Sequence, residues 1–491
     1  MGINKKTVLN ATKWSGITEI AARLTTPITN MILARLLVPE VFGVVATLTM
    51  VISFAEIFTD AGFQKYLVQH EFQNDDDLNK STNVAFWTNL GLSIVIWAII
   101  SVFATPIVNM VGSPGCETAV IVISAEIPLL AFSSIQMARY RRNFDYKNLF
   151  YARMASSVTP LVVTVPLASI TRSYWALVLG TLAKDLINAV VLTARSSWKP
   201  RFTYSLAKLK EMISFSIWTV VENITIWLTN YIGTFIVGVA LSDYYLGLYK
   251  TTISTTNAYV NLITVATTSV LFSALSRCQN NDEEFKKVFF KFQRMVAMLI
   301  FPLGFGMYVY RKLATSILLG SQWAETADFL GMWALTSALT IIFSHYNSEV
   351  FRSKGKPKLS VLSQVLHLVV LVPLLLFVAD KGYAVLTASR ALVRLEGILV
   401  SCIILRFSIG FRLKDVFRNV WPSLFSAGIM ALAGVGLRIL WDNIVWEIAS
   451  VLICVLIYAG CMLVIPAGRR QVAEVPVLRK ILGLKKSEAV E

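Results

Sequence analysis

The stretch Ile444–Pro466 reads IVWEIASVLICVLIYAGCMLVIP. It carries one charge, Glu447, near its start and then runs apolar to Ile465. A helix needs about 20 such residues to cross the hydrocarbon of a bilayer, and this segment has them. Working outward, apolar runs between polar punctuation give fourteen candidate spans. They are 14–36, 42–64, 84–106, 118–138, 149–169, 173–194, 213–239, 251–273, 288–309, 326–350, 359–379, 383–405, 417–437 and 444–466.

Composition points the same way. Of 491 residues, 56% are hydrophobic and only 15% charged. Soluble domains carry about 25% charged residues because their surfaces face water, so a chain of several soluble domains is excluded. Glycine (25) and proline (14) are too ordinary for a collagen-like or low-complexity chain. The expected class is an all-α polytopic membrane protein. Lys5, Lys6 and Lys13 resemble the start of a secretion signal, but Glu19 and Arg23 break the run that would follow, so no cleavable signal is expected. The five cysteines and three histidines form no metal-ligand spacing, and only Cys116 falls in a loop on the external side, so neither a metal nor a disulfide is expected.

Orientation follows from Lys and Arg in short loops. With the N-terminus in the cytoplasm, 34 of the 45 basic residues lie in inside segments and 7 in outside loops or helix ends. Both termini are therefore expected inside. The net charge of +16 is this bias, and no nucleic-acid partner is expected.

A 204-residue shift lays the first span on the seventh. Trp14 meets Trp218, Ile20 meets Ile224, Leu24-Thr25 meets Leu228-Thr229, and Gly43 meets Gly247. The fifth span of each half carries a proline, Pro160 and Pro373. The reading is a duplication, two parallel six-helix lobes over 1–194 and 213–405 with a substrate path between them. A basic cytoplasmic linker, 195–212, joins the lobes; two extra helices occupy 406–466 and a basic cytoplasmic tail 467–491.

Charges at mid-span cost about 2.5–3.5 kcal/mol on insertion scales and persist where they face a cavity or partner. The first span sets Glu19, Arg23, Thr26 and Asn30 on one face, and the second sets Thr49, Ser53, Glu56 and Asp60. Asn257 and Asn261 give the eighth span a wet side. Lys184 and Asp185 lie in the sixth span, Glu126 in the fourth, Glu222 in the seventh, and His345 and Glu349 in the tenth. Arg390 and Arg394, four apart in the twelfth, project together and can clamp a phosphate through bidentate bonds. The substrate candidates are Arg23, Glu19, Asn30, Arg390, Arg394, Lys184, Asn257 and Asn261. The ion-coupling candidates are Glu126, Asp185, Glu222, Asp60 and His345. A plainer reading stands beside these roles: Glu19 and Arg23 can neutralise each other four residues apart, and His345 can be a packing residue.

Asn30–Val45, NMILARLLVPEVFGVV, resembles the junction after the first helix of polysaccharide flippases. Phe58–Gln69, FTDAGFQKYLVQ, Gln136–Lys147, QMARYRRNFDYK, and Leu246–Tyr249, LGLY, are similar to later landmarks in the same order. The chain thus resembles Wzx-type flippases of the multidrug/oligosaccharidyl-lipid/polysaccharide (MOP) superfamily, in the colanic- and teichuronic-acid exporter branch. The resemblance implies a MATE-like V-shaped bundle in the bacterial inner membrane. It implies a cargo of undecaprenyl-diphosphate-linked oligosaccharide for surface polysaccharide biosynthesis, with the lipid tail among membrane lipids. A polysaccharide polymerase and a chain-length regulator are the expected protein partners, and H⁺ or Na⁺ the expected coupling ion.

No phosphate-binding loop, zinc-protease motif or nucleophile elbow occurs, so no enzyme and no cofactor are expected. One rival is a cation-coupled drug or metabolite antiporter, which an acidic cavity in twelve helices would favour. Others are a membrane-embedded polymerase, which would need a long external loop, and a scaffold, which would not need so many buried charges.

Overall fold

The computed structural model describes residues 25–59, 63–356, 358–441, 443–475 and 479–480. These are helical, with short connections. Eleven helical segments among the described residues are long and apolar enough to cross a membrane. They fall on eleven of the fourteen spans expected from sequence. The rest of that set corresponds to α1 (25–36), to α12 (Asp243–Arg277), and to α18 (Tyr383–Leu392) with α19 (Arg394–Ile409). α12 is long but rich in Thr and Asn, and the α18–α19 pair is interrupted at Val393.

The chain divides between Thr251 and Thr252 into two compact units. The first contains α1, α2 (Pro39–Thr59), α3 (Phe63–Gln69), α4 (Asp75–Val102), α5 (Ala104–Met110), α6 (Glu117–Ile123), α7 (Glu126–Arg142), α8 (Tyr146–Thr159), α9 (Val165–Thr171), α10 (Tyr174–Arg195), α11 (Leu206–Ala240) and the start of α12. A π-turn, Pro160–Thr164, joins α8 to α9. Pro160 has no N–H to give the preceding turn, and the helix widens there rather than breaking. The core of this unit includes Leu48, Ile52, Val108, Ile123, Ile127 and Val178, from α2, α5, α6, α7 and α10.

Two glycines set the approach of α2 to α12. A methyl on Gly43 would overlap the Asp243 carbonyl oxygen, and one on Gly247 would overlap the Pro39 carbonyl oxygen. Small residues let backbones meet this closely where hydrophobic driving force between helices is absent. The two contacts exchange under the 204-residue shift, which carries Pro39 onto Asp243 and Gly43 onto Gly247.

The segment expected as a linker is strapped to the first unit. Asn83 on α4 accepts from the Arg201 backbone at 3.1 Å and donates to Thr203 Oγ1 at 2.7 Å. Trp87 Nε1 donates to the Arg201 carbonyl at 3.0 Å. Before α11 turns apolar, Tyr66 Oη donates to Glu211 at 2.7 Å and Lys208 meets Asp77 at 2.8 Å. The Tyr66 hydrogen bond holds the Glu211 carboxyl below its ordinary range, and the bond to Asp77 raises the Lys208 ammonium. The Glu211 contribution is therefore present above the ordinary carboxylate pKa and fades as pH falls through the lowered one. The Lys208 contribution holds through neutrality and is lost only in strong base.

The second unit holds the remainder of α12, then α13 (Asp282–Val309), α14 (Arg311–Leu318), α15 (Ala327–Thr340), α16 (Tyr346–Ser353), α17 (Lys358–Val378), α18, α19, α20 (Leu413–Leu440), α21 (Ile444–Val464) and α22 (Pro466–Ala473). A π-turn, Ile341–His345, lies between α15 and α16. α13 is central and packs on both α15 and α20. Its Phe289, Ile300 and Phe301 are fully buried. Large aliphatic side chains stay exposed on the outer helices, Leu432, Ile439 and Val464 among them. That is the outer face lipid requires.

A polar knot ties the last helices to α13. Arg294 donates to both Glu474 oxygens, at 2.9 and 3.1 Å, and to Asn419 Oδ1 at 2.7 Å. Asn419 donates to Gln293 Oε1 at 2.9 Å, and Gln471 donates to the Asn419 carbonyl at 2.9 Å.

Two outcomes follow. Gly247→Ala should lower the melting temperature in detergent, since overpacking costs about 1–3 kcal/mol; an unchanged melting curve would refute the close approach. Arg294→Ala should destabilise by roughly 1.5–3 kcal/mol, the scale of a charged hydrogen bond. It should also speed proteolysis after residue 466, and equal cleavage rates would show that the knot does not hold the C-terminal helices.

Candidate functional site: charged groups at bilayer depth

Arg390 lies in the last turn of α18 and Arg394 begins α19, with the interruption at Val393 between them. Both guanidiniums lie over the ring of Trp333 on α15, Arg390 at 5.0 Å and Arg394 at 4.1 Å from its centroid. Arg394 Nη1 donates to Ser337 Oγ at 2.6 Å, with Thr336 Oγ1 and the Trp333 carbonyl each at 3.4 Å. Arg390 is 8% exposed, and its Nε and Nη1 have no hydrogen-bond partner among the described residues. Trp333 Nε1 in turn donates to Asn257 Oδ1 at 3.3 Å. The pair thus projects together as its spacing suggests, and Asn257 joins it through the indole.

Nearby acids are engaged elsewhere. Glu396 meets His367 Nδ1 at 2.8 Å. Glu349 meets Arg352 at 3.2 Å. Arg390 therefore stands as a buried cation with an aromatic face for company, a costly arrangement unless an anion visits.

A second cluster lies in the first unit. Asp185 on α10 is buried, and Lys184 reaches its Oδ1 at 3.4 Å. The Glu126 carboxyl of α7 lies against Asp185, with Glu56 of α2 also near. Asp185 Oδ2 has no hydrogen-bond partner within 3.5 Å among the described residues. Three candidates, Lys184, Asp185 and Glu126, are thus brought together.

In the second unit, Asn261 and His345 line one cavity with Glu349 and Arg352. Thr268 Oγ1 lies 3.4 Å from His345 Nε2. Asn30 sits half-buried on α1. Glu19, Arg23 and Asp60 lie outside the described residues, as does the side chain of Glu222.

Sequence reasoning missed two participants. Trp333 reads as one more aromatic in an apolar run, and nothing in the spacing marks it as the plate for two arginines. Lys250 reads as a helix-end residue, yet it lies within α12, its Nζ 4.2 Å from the Tyr231 ring centroid. Tyr231 stacks on Trp227, which packs against Phe54.

Comparison with known proteins adds the kinship. The succinoglycan biosynthesis transport protein ExoT of Rhizobium meliloti (strain 1021) is 27% identical over 69% of this chain and 67% of its own. The lipopolysaccharide biosynthesis protein WzxC of Escherichia coli (strain K12) is 19% identical over 86% of this chain and 85% of its own. Among solved structures, the lipid II flippase MurJ in an inward closed conformation superposes with a TM-score of 0.74 at 13% identity, covering 91% of this chain and 98% of that one. An inward-facing multidrug resistance MATE transporter of the MOP superfamily gives 0.63 at 12% identity, covering 81% of this chain and 99% of its own. The fold is therefore the MATE/MurJ fold. A family model described as polysaccharide biosynthesis protein matches residues 32–328, more than half of the chain, and the chain belongs to that family.

Proposed function

We propose that this protein is a flippase that moves undecaprenyl-diphosphate-linked oligosaccharide across the bacterial inner membrane by alternating access, for surface polysaccharide biosynthesis. The observation that carries the reading is the pair Arg390 and Arg394 on one indole, with Arg390 buried and short of partners. Two planar forks on adjacent turns match the oxygens of a diphosphate. Family membership and the naming of ExoT as a transport protein support the class. Buried arginines repel organic cations, which weighs against a drug antiporter.

The finer architecture belongs to the same proposal. Fourteen spans form two six-helix lobes, 1–194 and 213–405, joined by 195–212. Helices over 406–466 follow, then a basic tail from 467, with both termini in the cytoplasm. The exchange of the Gly43 and Gly247 contacts under one shift supports the duplication. Glu126 and Asp185 form the coupling site, which takes up H⁺ or Na⁺ on one side of the membrane and releases the same ion on the other.

Replacing Arg390 with Met should uncouple stability from function. Removing a lone buried cation should raise the melting temperature, while polysaccharide export falls by about tenfold or more, the scale of a lost charged hydrogen bond. Undiminished export at normal protein level, in that variant or in Arg390→Ala/Arg394→Ala, would remove the pair from transport. In proteoliposomes, Asp185→Asn should bring gradient-driven flipping down to its rate without a gradient. A full response to both proton and sodium gradients would take Asp185 out of coupling.

A further inference from the structure

The second unit contains a cavity of about 410 Å³, apart from the arginine pair, in which a few polar groups are set in a largely apolar lining. From α12 come Asn261, Thr264, Thr268 and Phe272, at steps of three, four and four, which put them on one helical face. From the other side come His345, Glu349 and Arg352, at steps of four and three. The π-turn Ile341–His345 makes this possible. Its extra residue re-phases the helix. Ahead of it, Trp333 and Ser337 hold the arginine pair; at its end and beyond, His345 and Tyr346 meet Thr268 and Thr267 of α12. Tyr346 Oη lies 2.6 Å from Thr267 Oγ1, and His345 reaches Thr268, which pins that second face against α12.

The chemistry of this lining differs from that of the arginine pair. Its carboxylate and guanidinium neutralise each other, Glu349 to Arg352 at 3.2 Å. What remains is the Asn261 amide, an imidazole, the partly exposed ring of Phe272, and two hydroxyls that already donate to the Val260 and Thr264 carbonyls and keep lone pairs with which to accept. Such a surface offers donors and acceptors with no net demand for charge, plus an apolar plate. A pyranose presents the complement, with hydroxyls around its rim and C–H groups on its face. The volume falls in the usual range of small-ligand sites, roughly 300–1,000 Å³.

We infer that this cavity is a sugar subsite, holding rings of the oligosaccharide while Arg390 and Arg394 hold the phosphates; the inference rests on the transport reading above. Position supports it. Asn257, tied to Trp333, lies on the same face of α12 as Asn261, Thr264 and Thr268. From Asn257 to Thr268 that face runs roughly 16 Å at 1.5 Å per residue. This is the reach of a short oligosaccharide leaving a diphosphate. His345, at the centre of the lining, is then a sugar contact.

The experiment uses the full chain in nanodiscs and two probes. One is the free oligosaccharide released by mild acid from the lipid-linked precursor of the strain that carries the gene. The other is undecaprenyl diphosphate, which has no sugar. Asn261→Ala and His345→Phe should each weaken oligosaccharide binding about tenfold, the scale of one or two lost hydrogen bonds, and leave undecaprenyl diphosphate binding unchanged. Arg390→Gln should do the reverse. Wild-type affinity for the oligosaccharide in both cavity variants would overturn the subsite. So would a wild-type protein that binds undecaprenyl diphosphate but not the sugar. Failure of the wild type to bind either probe would overturn the transport reading as well, so the two failures are separable. Glu349→Gln, which keeps the shape of the lining, guards against a folding defect: it should weaken the sugar and spare the lipid diphosphate, and equal loss of both would also overturn the subsite.

Discussion

A buried guanidinium short of hydrogen-bond partners is a costly feature of the second unit, and its neighbours are arranged around it. Arg390 has lost most of its water without gaining a full set of hydrogen bonds. Trp333 supplies what a ring can, the negative face of its π-system, to both arginines at once. Ser337 and Thr336 steady Arg394, and Asn257 fixes the indole from the opposite edge. Such an assembly is pre-organised, since the donors stand in place before any ligand arrives and little ordering remains to be done.

The scaffold meets the constraint that lipid puts on backbone. Non-polar surroundings cannot hydrogen-bond a free N–H or C=O, so helices run nearly uninterrupted and their irregularities are turns that stay hydrogen-bonded. The two π-turns fit this pattern. One absorbs a proline, and the other redirects a helix so that its two halves serve different polar clusters. The interruption at Val393 falls between the two arginines. Where helices must touch without hydrophobic drive, Gly43 and Gly247 let main chains meet.

Much of this was legible in the residue order. Long apolar runs declare spans, and a four-residue step between Arg390 and Arg394 declares a shared face. Lys184 and Asp185 stood out as charges within a span, though not as partners of each other. Other features were hidden because they depend on distance through space rather than along the chain. Trp333 lies 57 residues before Arg390 in the chain, and nothing local distinguishes it from Trp323. Asp185 and Glu126 meet only because α7 packs on α10. A π-turn leaves no motif, so the change of phase that separates Ser337 from His345 could not be read. Lys250 misled because a lysine near a span end usually reaches for water, whereas here Tyr231 receives it. The strap formed by Arg201, Thr203 and Glu211 was hidden in a stretch whose charge suggested a free linker.

The reciprocal seating of Gly43 and Gly247 bears on ancestry. If the 204-residue repeat descends from a fused pair of identical chains, the ancestral homodimer met this demand with a single glycine codon, used once by each copy across a two-fold axis. Before fusion, any mutation of that codon damaged both contacts together. After fusion each contact answers to its own codon, so selection must now guard two positions where one had sufficed, and the halves became free to specialise everywhere except there.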